Sequence, residues 1–281
     1  MGSFSVLNNI SGINAQNQLN LNNVNLSRTL ARLSSGKRIS SGADDAAGLQ
    51  IADSLRANTY ALNQSIRNAN DGIGVAQIAD GALQEISNLL TRGVTLAEEA
   101  ATETVDANGK ASLQAEFASI TAEIDRIASQ TNFNGAYLFT AAGLGGDGAL
   151  SVFVGDMSSS STIDLQIDSF TAADVNGTDL TAVDLVGDAA GALTDIQAAL
   201  NSVASMRGTI GAGMNRLQSA VAVLQTQVQN TQSAESTIRD ANMAEEISNL
   251  TKEQILAQSG MAALAQANSN SQNVLTLLKN A

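Results

Sequence analysis

The stretch MAEEISNLTKEQILAQSGMAALAQANSNSQNVLTLL, residues 243–278, decides the fold. Met243, Ile247, Leu250, Ala257, Met261, Leu264, Leu275 and Leu278 recur within it at helical intervals that place them on one narrow coiled-coil stripe. Gln254 and Asn268 occupy amide positions on the same stripe, where a buried amide fixes register at some cost in stability. At the other end of the chain Leu7, Ile10, Leu21 and Val24 stand in the same frame, with Asn14 and Asn17 at the positions between them. These stripes predict terminal helices that meet. One such pair buries too little apolar surface to stand alone, so the stripes are expected to face other copies of the chain.

Inward from the N-terminal stripe, residues 4–33 read as a helix, but the many asparagines there disfavour helix formation in isolation. SSGKRISSGA, residues 34–43, reads as a connector, and Asp44 or Asp45 offers an N-cap for the next helix. Leu62, Ala69, Ala76, Leu83, Leu90 and Ala97 follow at seven-residue spacing, flanked by Ile66, Ile73 and Val94. DANG at 106–109 reads as a turn, followed by an amphipathic helix through Leu113, Phe117, Ile120, Ile124 and Ile127 that doubles back as an antiparallel hairpin. Residues 132–135 read as another turn. The period then changes to two, predicting strands at 149–154 and 162–168 joined through 156–161. GLGGDG at 143–148 occurs once and reads as a flexible turn rather than a calcium repeat. From Ala189 a helix holds Val203, Ile210, Leu217, Leu224 and Ile238 on one line, with Leu200, Met214, Val221 and Val228 beside it, and runs roughly 70 Å.

The fold class is therefore mainly α: a long antiparallel helical bundle and terminal coiled-coil helices, with a small β-hairpin region in the middle of the chain. Residues 1–43 and 240–281 are expected to form a discontinuous terminal helical domain. Residues 44–239 are expected to form an outer helical domain with a β-rich segment at about 136–187.

Composition narrows the function. Among 281 residues there is no Pro, which favours uninterrupted helices, and Trp is absent, so packing relies on aliphatic side chains. With neither His nor Cys there is no imidazole or thiolate metal site, no disulfide and no Ser/His or Cys/His pair. Asp44 with Asp45 and Glu98 with Glu99 read as solvated helix positions rather than acid/base pairs. No catalytic residue, cofactor or metal ligand is assigned, and no enzyme activity is expected. The net charge of −13 opposes nucleic-acid binding. Nine aspartates between Arg126 and Arg207, a stretch without a basic residue, predict an acidic outer surface. The basic group Arg28, Arg32, Lys37 and Arg38 reads as salt-bridge partners in an assembly. No apolar run spans a bilayer and the N-terminal stretch lacks a cleavable signal pattern, so the chain is cytoplasmic or exported by another route.

LSSGKRISSGADDAAGLQIADSLR (33–56), LNQSIRNANDGIGVAQIADGALQEI (62–86), EIDRIASQTNFNG (123–135), MNRLQSAV (214–221) and EISNLTKEQILAQSGMAALAQANSNSQNVLTLL (246–278) closely resemble bacterial flagellin. The resemblance covers nearly everything outside 144–186, which makes this look like a minimal flagellin with a short variable region. It implies an extracellular filament subunit whose terminal helices line an inner tube, a homopolymer that needs no membrane insertion. It also implies export through the flagellar secretion channel without a cleaved signal peptide. An export chaperone, the filament cap and hook-filament junction proteins are the partners it implies. Arg92, Leu96 and Glu116 match the family's Toll-like receptor 5 contact by position, whereas Gly93 and Val94 depart from it. The subunit interface expected is Leu7, Ile10, Leu21, Val24, Met243, Ile247, Leu250, Met261, Leu264, Leu275 and Leu278. Ser158, Ser159, Ser160, Ser161 and Thr162 read as a polar loop, with glycan attachment as the alternative. A hook-filament junction protein is the alternative reading of the whole chain. A membrane-lesion protein ranks below it, because the terminal stripes lack Lys-rich polar faces.

Overall fold

The computed structural model describes residues 9–140, 149–156, 161–175 and 178–279, with side chains in the last helix described to residue 273. In chain order it contains α1 (Ile10–Ser35), α2 (Ala46–Ala101), α3 (Ala107–Gln130), β1 (Asn132–Phe133), β2 (Ala136–Tyr137), β3 (Ala149–Phe153), β4 (Thr162–Gln166), a 3-10 turn (Leu180–Ala182), α4 (Ala189–Arg239) and α5 (Met243–Lys279). The chain forms two compact units, Met1–Arg56 with Thr231–Ala281 and Ala57–Asn230. Their boundaries fall inside α2 and α4, some way from the expected divisions after residues 43 and 239.

In the central unit the seven-residue spacing becomes a core line. Leu62, Ala69, Ala76, Leu83, Leu90 and Ala97 are all fully buried, as are Val203, Ile210 and Leu217 of α4. Phe117, Ile120 and Ile124 supply the buried face of α3. The reversal after α2 comes earlier than expected, at residues 102–105. DANG does not make it: Asp106 caps α3 by accepting from Gly109 N at 2.8 Å, and residues 107–109 are already helical.

Asn134 and Gly135, both at positive φ, close the β1–β2 hairpin with a tight two-residue loop. In the β3–β4 hairpin Val152 and Leu165 point inward, and Ser151, Phe153, Asp164 and Gln166 point out. Val152 and Val154 complete a second small cluster with Leu62, Ala69, Leu217 and Leu224. Ser65 Oγ donates to Gly155 O at 2.5 Å.

The rest of the expected β-rich segment contains no further strand among the described residues. Residues 167–175 and 178–185 instead run as an irregular strap that buries Ile167, Phe170, Val175, Leu180, Val183 and Leu185. Two α3 side chains hold it. Gln114 donates to Val183 O at 3.0 Å and accepts from Leu185 N at 2.8 Å, and Asp125 accepts from Ala172 N at 2.6 Å. The aspartates of this region are largely exposed, and several do local work. Asp179 accepts from Thr181, Asp184 from Val186 N and Gly187 N, and Asp188 from Gly191 N at the start of α4. The Thr181 hydroxyl and then its amide hold the Asp179 carboxyl below its ordinary pKa.

In the terminal unit α1 ends at Gly36, whose left-handed φ of 69° lets its N–H reach Arg32 O at 2.8 Å. The connector is then laced to the end of α4. Arg38 N donates to Arg239 O, Ala241 N to Gly36 O, and Arg38 Nη2 to Ile238 O at 2.7 Å. Asp45 caps α2 through Gly48 N, while Asp44 Oδ2 accepts from the amides and hydroxyls of Ser40 and Ser41 at 3.1–3.2 Å. These bonds, the Ser40 amide foremost, hold the Asp44 carboxyl below its ordinary value.

A Cβ on Gly72 would stand 2.7 Å from Val152 Cγ2, so Gly72→Val overpacks the β3–α2 contact. It should cost about 1–3 kcal/mol, read from the denaturant midpoint of the soluble chain. Asp44 is depressed in the folded state. Its contribution is therefore fully present above its unfolded value near 3.8 and lost as pH falls through its lower folded value. Stability of the terminal unit should fall as pH drops through and below 3.8, and Asp44→Asn should flatten that slope in chemical denaturation followed by far-ultraviolet circular dichroism.

Candidate assembly surface

α1 and α5 pack against each other in antiparallel register. Asn9 fixes one end: its Oδ1 accepts from Gly12 N at 2.9 Å, capping α1, and its Nδ2 donates to Ala267 O at 3.2 Å. Arg32 fixes the other, with Nη1 3.6 Å from the buried Glu246 and Nη2 4.0 Å from Asp44. Between them a Cβ on Gly260 would lie 3.4 Å from Leu19 Cδ1.

The seam of α1 runs through Gly12, Ala15, Leu19, Asn22, Leu26, Thr29 and Leu33, with Arg32 shielded beside it. On α5 it runs through Glu246, Leu250, Glu253, Ala257, Gly260, Leu264, Ala267 and Ser271, with Asn249 shielded beside it. Both sets follow the alternating three-and-four spacing of a coiled-coil seam, yet small and polar side chains occupy much of it.

The sequence-expected interface residues therefore divide. Ile10, Leu21 and Val24 lie on the face of α1 opposite α5, at 63%, 59% and 57% exposure, joined by Ile13. Asn14 and Asn17 are exposed on the same stripe. Met243, Ile247 and Met261 are exposed along one flank of α5. Leu250 and Leu264, expected to face other copies, are half-buried on the α1 side instead. Helical phase explains this: residues spaced by 18 return to one direction, whereas Leu250 and Leu264 are rotated toward the seam. Gln254 and Asn268 are exposed rather than buried, and Asn268 accepts from Asn9 Nδ2 at 3.4 Å on the rim. Leu7 lies outside the described residues, as do the side chains of Leu275 and Leu278.

The basic group serves the chain's own fold in part. Arg32 pairs with Glu246 and Arg38 binds a backbone carbonyl, while Arg28 is exposed near the outer stripe of α1. Arg239, which the sequence did not single out, bridges Asp53 at 3.2 Å and Glu235 at 3.8 Å. Its pairing joins residues 186 apart, and no local pattern marks it.

In the central unit Arg92 Nη2 meets Glu116 Oε1 at 2.7 Å, and both side chains are about half exposed. Leu96, grouped with them in the sequence, is fully buried in the core and offers no contact surface. It sits on the inward line of α2 beside Ala97. Ser161 and Thr162 are exposed, and Ser158, Ser159 and Ser160 lie outside the described residues. No described helix is long and apolar enough to cross a membrane.

Known proteins match this arrangement. The bacterial flagellin N-terminal helical region matches residues 6–143, and the bacterial flagellin C-terminal helical region matches residues 193–278. The flagellar filament 31.3 kDa core protein of Treponema maltophilum is 34% identical over 289 residues, covering 96% of this chain and 98% of that one. Flagellin of Bacillus subtilis is 36% identical over 299 residues, with the same coverage. The crystal structure of Bacillus cereus flagellin superposes with a TM-score of 0.50 at 29% identity, over 60% of this chain and 94% of that one. Helical regions matched at both ends, and relatives similar along nearly their whole length, show that this chain belongs to the bacterial flagellin family.

Proposed function

We propose that copies of this chain polymerise into the extracellular filament of a bacterial flagellum, joined through the outward stripes of α1 and α5. One observation carries the reading. Among the described residues of the terminal unit, Ile39 and Ala52 are the only buried apolar side chains, while Ile10, Ile13, Leu21 and Val24 stand in solvent. Burying those four on neighbouring copies would contribute about 6–12 kcal/mol before the entropy of association is subtracted. A head-to-tail contact whose rotation does not close gives an open helical polymer. The names of the relatives, a flagellar filament core protein and a flagellin, favour a filament subunit over a hook-filament junction protein.

Finer parts of the reading rest on the family. The chain travels unfolded through the flagellar secretion channel with an export chaperone and adds beneath a filament cap, on a base of hook-filament junction proteins. Export without a cleaved signal peptide belongs to the same reading. Toll-like receptor 5 would meet the exposed Arg92–Glu116 pair without Leu96. Glycans, if attached between β3 and β4, would use the cluster Ser158, Ser159, Ser160, Ser161 and Thr162, of which Ser161 and Thr162 are exposed.

Introducing two charges tests the central claim. Leu21→Glu combined with Val24→Glu should raise the critical concentration for seeded growth by more than about tenfold. Sedimentation and electron microscopy read polymer, and the thermal transition of the soluble chain reads residues 57–230, which should stay folded. Normal filaments from the double variant would sink the assignment of this stripe.

A further inference from the structure

The six methionines of the chain are not treated alike. Met206 is buried in the central core and Met214 is half-buried against it. Met243 and Met261 are 45% and 54% exposed. They stand 18 residues apart on α5, five full turns and about 27 Å, so both thioethers belong to one flank, with the exposed Ile247 between them. An apolar side chain on an outward stripe could be any aliphatic residue. Methionine adds a reactive sulfur.

We propose that Met243 and Met261 form a peroxide-sensitive modification site that keeps oxidised subunits out of the polymer. This rests on the filament reading above, in which the α5 flank becomes buried on assembly. The co-reactant is hydrogen peroxide. A sulfur lone pair attacks one peroxide oxygen, the S–O bond forms as the O–O bond breaks, and hydroxide leaves. Hydroxide then takes the proton from the transferred oxygen, giving methionine sulfoxide and water. Sulfur loses two electrons and peroxide gains them. The product carries a strongly polar S–O group where a subunit contact requires an apolar surface. Before assembly both sulfurs are open to the oxidant, and within the polymer neighbouring copies exclude it. The chemistry therefore acts on the free subunit and spares the finished filament.

The test uses the full chain. Soluble protein treated with hydrogen peroxide should gain one oxygen at Met243 and one at Met261 in peptide mapping, ahead of Met206. Its critical concentration for seeded growth should rise about tenfold or more. Methionine sulfoxide reductases of both epimer specificities should restore growth. Preformed filaments given the same dose should show Met243 and Met261 protected. A chain carrying Met243→Leu and Met261→Leu, compared with its own untreated sample, should lose the peroxide effect. If that variant does not assemble, restoration by the reductases decides. Doubly oxidised chain that grows at an unchanged critical concentration would overturn the proposal, as would an equal peroxide effect in the leucine variant. Failure of untreated wild-type chain to grow on seeds would instead overturn the filament reading, and this proposal with it.

Discussion

The antiparallel pairing of α1 with α5 constrains everything else at the ends of this chain. Asn9 binding Ala267 O and Arg32 facing Glu246 set its register from the two ends. Once that register is fixed, the rotation of each helix follows, and with it which side chains face out. Ile10, Leu21 and Val24 are exposed because Gly12, Leu19, Asn22, Leu26 and Thr29 turn toward α5. A stripe of large apolar side chains on α1 is thus left uncovered by its own partner helix.

Such a division has an energetic logic. A seam that sets Gly12, Asn22, Thr29, Glu246, Glu253 and Gly260 among the half-buried Leu19, Leu26, Leu33, Leu250 and Leu264 gains less from the hydrophobic effect than an all-leucine seam and adds close approach and a few directed bonds. Glu246 is buried with an arginine partner, an arrangement that specifies geometry more than it stabilises. The central unit works the opposite way. Its lines of Leu, Ile, Ala and Phe are fully buried, and its irregular strap is anchored by Gln114 and Asp125, so it gains its stability within one chain.

The seven-residue lines of α2 and α4 were legible because each repeats over many turns and the residues on them are apolar without interruption. The starts of α2 and α4 were legible too, through the pair Asp44 and Asp45, of which Asp45 is the cap, and through the return of helical period at Ala189. DANG misled because its aspartate is also an N-cap, and the residues that close a turn can equally open a helix. The strap at 167–175 and 178–185 carries no period, since its buried side chains Ile167, Phe170, Val175, Leu180, Val183 and Leu185 fall at uneven intervals. On α5 the apolar spacing located a stripe but not its partner. Leu250 and Met261 belong to the same pattern, yet one is half-buried in the seam and the other is open. Motif position alone grouped Leu96 with Arg92; four residues apart they are neighbours on α2, and packing against the core buries Leu96 while Arg92 reaches out to Glu116.

The scarcity of buried apolar groups around Ile39 and Ala52 also shapes the thermodynamics of the terminal unit. Heat capacity of unfolding follows apolar surface exposed, so disordering this unit in a free chain carries little of it, and its stability changes weakly with temperature. On the filament reading proposed above, an apolar core for this unit would come from other copies of the chain, and subunit concentration would then set how firmly the α1–α5 pair is held.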